Sequence, residues 1–502
     1  MTATLDNPTA TASAPTFDSL NPANGDVVGT YPIASKADVD AAVARSREAA
    51  AWWGALSFAE REDFLLTWRS VITRRIAQLA QVSHLETGKP HGDAQLEIIM
   101  AIDHIAWAAK HAKKILGPQK VKSGLLMANQ ASTVEYKPLG VVGVIGPWNY
   151  PVFTPCGSIA YALAAGNTVV FKPSEYTPGV GQWLADTFTE VVGGRPVLQV
   201  VTGLGETGNA LCTAAVDKLA FTGSGATGKK VMAACATNLT PVIIEAGGKD
   251  SMIVDQDADI EKAAEAALWG GMSNAGQTCI GTERVYVHEK VFDSFVAEIT
   301  NQAKDLKAGA GEKIGPITMP SQIGIIKSHI DDAIAKGATV VTGGADAVGE
   351  RFVQPTILTN VPENSTEITE ETFGPTLAIN PVKSMDEAIE LTNATKYGLA
   401  GAVFAKKNGV DIARRVRSGM TSVNSVVAFA GVPALPFGGV GESGFGRIHG
   451  PDGLKEFTYA KAITRQRMKP LMMLTSFARD AKTDGNVAKL ITVMHGGKKT
   501  LK

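Results

Sequence analysis

The amino-acid sequence predicts an α/β protein built from two successive domains in which strands and helices alternate. From residue 141, short runs rich in β-branched residues are separated by helical stretches, the pattern of parallel strands joined by crossover helices. A second set with the same alternation begins after about residue 248. At 502 residues, the chain is also too long for one ordinary core. We therefore expect doubly wound sheets with right-handed crossovers.

Composition and charge exclude several classes of function. Hydrophobic residues make up 45% of the chain, charged residues 19%, and the formal net charge is −1, so neither nucleic acid nor a membrane surface is an expected partner. No apolar run reaches the roughly 18 residues of a membrane span, and the first positive residue, Lys36, comes too late for a signal peptide. The four cysteines are widely spaced and form no Cys-x-x-Cys pair, which indicates a reducing compartment and no metal site. The expected location is the cytoplasm.

The first helices are predicted from capping signals. Ser35 with Asp38 marks the start of one helix, and Ser57 with Glu60 marks the start of the next. We expect the second helix to end near residues 87–90, where the sequence Thr-Gly-Lys-Pro contains a glycine that can turn the chain and a proline that cannot continue a helix.

Eight runs are predicted to be strands: five buried parallel strands in the first domain and three further strands in the second. They are Val141–Ile145, Thr168–Lys172, Val197–Thr202, Lys218–Phe221, Val242–Glu245, Arg284–His288, Thr339–Thr342 and Leu399–Phe404. In the second domain, Ser384 and Glu387 predict the cap of a helix.

Two glycine-rich turns match the dinucleotide-binding pattern Gly-x-Gly-x-x-Gly. They are Gly203-Leu-Gly205-Glu-Thr-Gly208 and Gly223-Ser-Gly225-Ala-Thr-Gly228. Each follows a predicted strand and opens a predicted helix, where glycines admit a pyrophosphate and the helix N-terminus offers unbonded N–H groups. Both cannot be the same phosphate cradle, so at least one is only a tight turn. We favour the second as the phosphate site because Ser224 adds a hydroxyl donor.

A lysine and a carboxylate follow another predicted strand, in the sequence Lys172-Pro-Ser174-Glu175. The carboxyl end of a parallel strand is the edge at which α/β proteins bind ligands. This pair could hold the hydroxyls of an adenosine ribose, although a solvated loop is the plainer interpretation.

Three residues have the chemistry needed for acyl transfer. Cys279 is a candidate nucleophile, but a thiol with an ordinary pKa of about 8.5 is only slightly ionised at neutral pH, and a lone cysteine is often apolar filler. Glu245 ends a predicted buried strand, where a carboxylate is costly unless it is functional or held in a structural ion pair with a lysine. Asn149 either shapes its proline-rich turn or donates its amide to an oxyanion.

Taken in order, these stretches resemble the aldehyde dehydrogenase superfamily over about residues 20 to 465. The matching motifs are Trp148-Asn149 before Pro151, Lys172-Pro-Ser-Glu175, Gly223-Ser with Gly228, Glu245-Ala-Gly-Gly-Lys249, Gly276-Gln-Thr-Cys279, Glu371-Thr-Phe373-Gly-Pro375, and Pro436-Phe437-Gly-Gly439 with Ser443-Gly444. Each motif alone has low specificity, but a chance match of all seven in the family's order is improbable. The chain departs from many members at Ala246, where leucine is common, which changes packing rather than chemistry.

The resemblance implies oxidation of an aldehyde to a carboxylic acid with reduction of NAD(P). Cys279 would form a thioester, Asn149 with the Cys279 backbone N–H would hold the oxyanion, and Glu245 would activate the hydrolytic water. The CoA-acylating branch lacks the glutamate that Glu245 matches, so water is the expected acyl acceptor. The alternatives are a CoA-acylating enzyme, a catalytically silent binding or structural protein, and a cofactor-independent thiol hydrolase.

The resemblance also implies where cofactor and substrate lie. Glu175 matches a residue that binds the ribose hydroxyls and would repel a 2′-phosphate, which favours NAD, with NADP possible. The residues implied along the cofactor are Trp148, Lys172, Ser174, Glu175, Gly205, Phe221, Gly223, Ser224, Gly228, Glu371 and Phe373. Those implied around the aldehyde are Tyr150, Phe153, Ile280 and Phe437. This apolar lining, without an arginine, favours an aliphatic or aromatic aldehyde over a semialdehyde acid.

With the resemblance, the expected architecture has three parts. A Rossmann-like doubly wound dinucleotide-binding domain is formed by residues 1–115 and 138–247, and a second α/β catalytic domain by residues 248–445. A small β oligomerisation element and the C-terminal tail comprise residues 116–137 and 446–502. The family expectation is a homodimer or homotetramer.

The two ends of the chain fall outside these patterns. Residues 1–20, rich in Thr, Ala, Ser and Pro, predict a loose arm. Residues 466–502 are expected to pack on their own fold or on a second subunit, with contact to a lipid surface as the alternative. The residues that suggest such packing are Met472, Met473, Leu474, Phe477, Lys498 and Lys499.

Overall fold

The computed structural model describes residues 15–470 and 474–497. These residues divide into two compact units, one within residues 1–115 and 138–459 and the other within residues 116–137 and 460–502. In the described ranges, no helix is both long enough and apolar enough to cross a membrane.

The α-helices are numbered in chain order. They are α1 (Lys36–Ala55), α2 (Phe58–Arg74), α3 (Ile76–Thr87), α4 (His91–Leu116), α5 (Phe153–Ala165), α6 (Pro178–Val191), α7 (Gly205–Thr213), α8 (Gly225–Ala236), α9 (Ile260–Met272), α10 (Glu289–Ala303), α11 (Pro320–Ala335), α12 (Thr366–Thr369), α13 (Met385–Asn393), α14 (Gly409–Arg415), α15 (Gly450–Glu456) and α16 (Ala481–His495).

The β-strands are numbered in the same way. They are β1 (Thr16–Leu20), β2 (Val27–Pro32), β3 (Gln119–Val121), β4 (Gln130–Pro138), β5 (Val141–Ile145), β6 (Thr168–Lys172), β7 (Leu198–Val200), β8 (Lys218–Gly223), β9 (Val242–Ala246), β10 (Ser251–Val254), β11 (Arg284–His288), β12 (Thr339–Thr342), β13 (Thr356–Thr359), β14 (Thr376–Val382), β15 (Gly401–Phe404), β16 (Ser422–Val423), β17 (Gly444–Phe445) and β18 (Thr458–Gln466).

The first large sheet has the strand order β17-β9-β8-β5-β6-β7, in which β5 to β9 are all parallel. The chain moves outward from β5 to β7 and then returns to the other side of β5 to form β8. This reversal leaves a crevice between the carboxyl ends of β5 and β8, where ligands bind in open α/β sheets. Apolar side chains of β5, β6, β8 and β9 pack with α1, α7 and α8 in one core.

The second large sheet has the order β12-β13-β14-β11-β10-β15-β16 and is parallel except at its edge strand β12. A separate core of apolar residues from β10, β11, β13 and β14 packs with α9, α10 and α11. A third, three-stranded sheet has the order β18-β4-β3. The predicted α/β fold class with parallel sheets is therefore confirmed.

The helix caps match their predictions closely. Both Ser35 and Ser57 form complete capping boxes with the residue three positions later, and Ser384 accepts a hydrogen bond from the Glu387 N–H. All eight predicted strands are present, and their ends differ from the predicted ones by at most two residues. One such difference is at Leu399, because its carbonyl accepts from the loop residue Gly419 instead of a neighbouring strand.

Two local predictions are wrong. Residues 16–20 are not part of a loose arm: they pair with β2 as strand β1, and this pairing overrides a composition typical of an unstructured segment. The helix that begins after Ser57 does not continue to Thr87, because Arg75, at φ −109° and ψ 22°, interrupts it and separates α2 from α3. Its predicted end is correct, since Gly88 closes α3 with a left-handed backbone.

The C-terminal predictions concern residues that are only partly described. Leu474 is partly buried and Phe477 is fully exposed. The remaining residues singled out in this segment, Met472, Met473, Lys498 and Lys499, lie outside the described residues.

Candidate active site

Cys279 closely follows a strained turn after α9. Asn274, Ala275 and Gly276 have left-handed backbone with φ of 51°, 56° and 70°. Such values are costly for residues other than glycine, and strain of this kind collects at functional sites. Helix α9 ends at Met272, and a short 3₁₀ turn over residues 273–276 follows it. A Cβ at Gly276 would lie 1.9 Å from the Gly374 carbonyl oxygen, which explains the glycine.

Hydrogen bonds tie this turn to the segment after β5. Asn149 Nδ2 donates to the Gln277 carbonyl at 2.9 Å, and Asn274 Nδ2 donates to the Asn149 carbonyl at 3.1 Å. Gln277 in turn donates to the Asn274 carbonyl at 2.9 Å and accepts from the Thr318 N–H at 2.8 Å. The Asn149 amide has a second N–H, which makes no bond within the described part of the chain and can donate to a ligand.

Glu245 is buried at the end of β9. Its side chain is 2% exposed, and neither carboxylate oxygen has a hydrogen-bond partner among the described residues. Burial raises the pKa of Glu245 to about 7; the Thr222 hydroxyl and the Cys279 thiol lie close enough to oppose this shift, without good hydrogen-bond geometry. No lysine within the described ranges forms an ion pair with Glu245, so a structural ion pair does not account for its burial.

Cys279 is partly exposed, whereas the other three cysteines of the chain are buried. Desolvation of the sulfur, followed by the charges of Glu245, Glu371 and Asp250, raises the pKa of Cys279 well above its usual range. Without bound ligands, the Cys279 thiol is therefore protonated at neutral pH, and its ionisation requires a neighbouring base or a compensating charge. Glu245 is a base beside it.

Two glycines after Glu245 allow other site groups to come close. A Cβ at Gly247 would lie 2.2 Å from the Glu371 carboxylate oxygens, and one at Gly248 would lie 2.9 Å from the Cys279 carbonyl oxygen. The Gly248 N–H donates to Glu371 at 3.1 Å. Burial and the charge of Glu283 raise the pKa of Glu371 to about 8. The Glu-x-Gly-Gly sequence thus lets the segments that carry Glu245, Cys279 and Glu371 come together.

A largely apolar cavity lies beside Cys279. All four residues predicted around the aldehyde, Tyr150, Phe153, Ile280 and Phe437, line it together with Cys279. The Tyr150 hydroxyl is held by the Thr278 hydroxyl at 2.9 Å. The other lining residues are Lys89, Asp93, Leu96, Glu97, Met100, Thr154, Trp269, Gly270, Ser273, Asn274, Thr278, Val427 and Ala430.

The residues predicted along the cofactor follow the parallel strands of the first sheet or belong to the loop after α12. Lys172 ends β6 with a buried ammonium that donates to the Pro173 carbonyl at 3.1 Å and lies 4.0 Å from the Glu175 carboxylate. Glu175 is 41% exposed, and a Cβ at Gly205 would meet no atom within 4 Å. A lysine donor, an accessible carboxylate and an open glycine at the carboxyl edge of this sheet fit a dinucleotide.

The second glycine turn opens α8. Ser224 caps that helix by accepting from the Thr227 N–H at 3.3 Å. Gly223 ends β8, in which Phe221 also lies, and a Cβ at Gly228 would lie 3.0 Å from Ile244, so Gly228 lets the helix pack on β9. In the first turn, Gly203 has φ +148° and a Cβ there would lie 2.1 Å from the Thr207 hydroxyl, as a tight turn requires.

The loop that carries Glu371 and Phe373 is held by buried charges that the sequence did not reveal. Lys249 forms an ion pair with Glu283, and Glu283 accepts the backbone N–H groups of Thr372 and Phe373 at 2.9 and 3.1 Å. The Phe373 ring packs edge-on against Trp148, with ring centroids 5.5 Å apart. The loop therefore reaches the end of β5.

A second buried ion pair, between Lys89 and Glu97, was also not predicted from the sequence. Lys89 Nζ donates to Glu97 at 2.6 Å and to the Asn149 carbonyl at 2.7 Å, and Glu97 accepts the N–H groups of Val152 and Phe153 at 2.7 and 3.0 Å. The only signal in the sequence is a lysine directly after a helix-ending glycine, which is equally typical of an exposed loop.

Comparisons with known proteins agree with this geometry. The family model described as the aldehyde dehydrogenase family matches residues 9–463. A Mycolicibacterium smegmatis protein, provisionally named a succinate-semialdehyde dehydrogenase (NADP(+)), is 38% identical over 88% of this chain and 86% of its own length. A Methylomonas protein named 4,4'-diapolycopene aldehyde oxidase is 36% identical over 88% of this chain and 84% of its own length.

Solved structures give the same result. The crystal structure of an NAD-dependent aldehyde dehydrogenase from Sinorhizobium meliloti is similar with a TM-score of 0.87 and 34% identity, covering 92% of this chain and 94% of that chain. The structure of a betaine aldehyde dehydrogenase from Staphylococcus aureus in complex with NAD+ is similar with a TM-score of 0.86 and 31% identity, again covering 92% and 94%.

Proposed function

Because the chain belongs to the aldehyde dehydrogenase family and oxidises an aldehyde to a carboxylic acid with NAD(P), we propose that Cys279, Asn149 and Glu245 carry out this reaction. The observation that carries the proposal is the buried Glu245 carboxyl beside the Cys279 thiol. It has no hydrogen-bond partner in the described part of the chain, and burial raises its pKa to about 7. A general base works best when its pKa lies near the operating pH.

The proposed reaction has two stages. Cys279 loses its proton to Glu245 and its sulfur attacks the aldehyde carbon, while the Asn149 amide and the Cys279 backbone N–H donate to the resulting oxyanion. A bound NAD(P), held at its nicotinamide end by Glu371 and Phe373, would supply the acceptor for the hydride that leaves this carbon, so that a thioester remains on Cys279. After returning its first proton to solvent, Glu245 takes a proton from the attacking water. The carbon–sulfur bond then breaks, the acid is released, and the proton on Glu245 passes to the sulfur to restore the thiol.

The cofactor assignment rests on residues at the carboxyl edge of the first sheet. Lys172, Ser174 and Glu175 would hold the adenosine ribose, with NAD preferred because Glu175 repels a 2′-phosphate. Ser224 at the start of α8 would lie at the pyrophosphate. The remaining cofactor contacts would come from Trp148, Gly205, Phe221, Gly223, Gly228, Glu371 and Phe373.

The same proposal assigns the parts of the chain. Residues 1–115 and 138–247 would bind the dinucleotide and residues 248–445 would provide the nucleophile. Residues 116–137 and 446–502 would join subunits into a homodimer or homotetramer. We place the enzyme in the cytoplasm, because all four of its cysteines are free thiols and its chemistry needs one of them reduced.

The alternatives make different use of Glu245. A CoA-acylating enzyme does not need a base for water, and a silent protein has no reason to retain a carboxylate without partners beside a thiol. A cofactor-independent thiol hydrolase could use both groups, but would not need the lysine and carboxylate that follow β6.

The test is a Cys279→Ala variant assayed with NAD, NADP and a panel of aldehydes by the absorbance of the reduced cofactor. We expect turnover to be abolished and cofactor binding to stay close to normal. A Cys212→Ala variant is the matched control, since this thiol is buried in the first core. Persistent cofactor reduction by Cys279→Ala would show that no thioester is formed on this residue.

A further inference from the structure

The cavity beside Cys279 contains very few charges. Among the lining residues that the structure describes, none is an arginine and Lys89 is the one cation. Its ammonium is buried, paired with Glu97 at 2.6 Å, and packed 4.3 Å from the centroid of the Tyr150 ring. Because Lys89 is already neutralised, it does not provide the cation that an anionic substrate would need.

The charged residue of the cavity lining that remains beside the Lys89–Glu97 pair is Asp93, which is negative when ionised. The Asp93 carboxylate takes part in no ion pair or hydrogen bond with any residue in the described ranges. Burial raises the pKa of Asp93, an effect that the nearby Lys89 ammonium partly offsets. In its ionised form Asp93 repels a carboxylate, and in its protonated form it offers no positive charge. A substrate with a terminal carboxylate is therefore disfavoured.

The apolar wall of the cavity continues to the protein surface. Leu96 and Trp269 line the cavity, and each is 45% exposed. Met100, one helical turn after Leu96 on α4, lines the same wall and is partly buried. Large apolar side chains that are both accessible and continuous with a binding cavity can cover the tail of a ligand.

From these three features, and resting on the proposed function, we infer that the substrate is an uncharged aldehyde with an apolar chain that passes Tyr150 and Phe437 and extends to Leu96 and Trp269. The inference runs against the acid-bearing substrate in the name of the M. smegmatis relative. In this site, a longer alkyl chain on the substrate strengthens binding through apolar contact, and a terminal carboxylate on the substrate weakens binding.

The test compares aldehydes with the full-length enzyme and NAD. From propanal to decanal, we expect kcat/KM to rise by about two- to fourfold for each added methylene, the effect of burying one such group, until the chain passes the rim. Succinic semialdehyde should be at least about tenfold poorer than pentanal, its uncharged counterpart of similar length.

Two variants locate the effect. Trp269→Ala should flatten the dependence of kcat/KM on chain length, with a loss of about tenfold for decanal and a much smaller loss for propanal, whereas a folding defect would lower both equally. Asp93→Asn should raise the ratio of kcat/KM for succinic semialdehyde to that for pentanal by about tenfold. Ile325→Ala and Asp103→Asn, which alter exposed residues outside the cavity lining, are the matched controls.

The outcomes separate this inference from the proposed function. Preference for succinic semialdehyde would overturn the inference and leave the thioester chemistry intact. Preference for a cationic aldehyde, such as betaine aldehyde, over pentanal would also overturn it and would assign Asp93 to binding the cation. Failure to oxidise any aldehyde with NAD or NADP would overturn the proposed function and the inference together.

Discussion

Lys89 donates a hydrogen bond to the backbone carbonyl of Asn149 at 2.7 Å, so a buried lysine in the short α3–α4 connection fixes the residue proposed to hold the oxyanion. The same ammonium is paired with Glu97, which accepts two N–H groups where α5 begins. The segment between β5 and α5 is therefore held at its middle and at its junction with α5 by one ion pair. We assign Lys89 a positioning role.

Removal of Lys89 should slow acylation through the loss of this positioning. In Lys89→Met, Glu97 becomes an uncompensated buried charge, which costs about 3–5 kcal/mol of stability, so the melting temperature should fall. The double variant Lys89→Met/Glu97→Gln removes that charge and should recover much of the stability.

The acylation rate separates positioning from stability. We expect it to stay at least about tenfold below that of the parent in the double variant, as measured by the rapid-mixing burst of reduced cofactor. Recovery of both stability and burst rate would show that Lys89 serves folding alone.

Loss of the Asn149 amide should act on the oxyanion. We expect Asn149→Ala to lower the acylation rate by roughly 10²–10³, the usual effect of removing one preorganised donor. Its binding of NAD should change little, and Asn209→Ala, at an exposed position on α7, is the control. A decrease of less than about fivefold would mean that Asn149 only shapes its turn.

The choice of cofactor should depend on Glu175. Replacement by Gln removes the charge expected to face the 2′ position, so Glu175→Gln should weaken NAD binding and improve NADP relative to NAD by about tenfold. Dissociation constants measured by quenching of protein fluorescence would report this ratio. Asp186→Asn, on the exposed face of α6, should leave it unchanged. If Glu175→Gln also leaves it unchanged, Glu175 does not face the ribose.

The pH dependence should report the ionisation of Glu245. Burial raises its pKa to about 7 in the enzyme without ligands, and a general base works only when deprotonated, so kcat/KM should rise as the pH passes upward through about 7. The low-pH limb should disappear in Glu245→Gln and persist in Glu265→Gln, which changes an exposed glutamate on α9. A limb unchanged in Glu245→Gln would assign the ionisation to another group.

The strands and caps were predictable because their signals are local. Buried parallel strands read as continuous β-branched runs, and a capping box needs only residues three positions apart. The cavity residues could be named through the family resemblance, and all four line the cavity beside Cys279.

The supporting groups could not be predicted in this way. Lys89 meets Asn149 across 60 positions in the chain, and Lys249 meets Glu283 across 34, so neither pairing has a local pattern. The left-handed turn at Asn274 and Ala275 was also invisible, because both residue types are common in helices and loops and the strain is imposed by tertiary hydrogen bonds.

The central claim is that a thioester forms on Cys279 and that Glu245 resolves it with water. The most direct measurement is rapid mixing of Glu245→Gln with NAD and aldehyde, followed by intact mass and peptide mapping. We predict a burst of about one reduced cofactor per active site, slowed at neutral pH and faster at high pH as Cys279 ionises directly, and then very slow turnover. The mass should rise by one acyl group located on Cys279. Full steady-state activity without an acylated Cys279 would contradict the account, and rapid turnover only on addition of CoA would assign the acyl group to CoA instead of water.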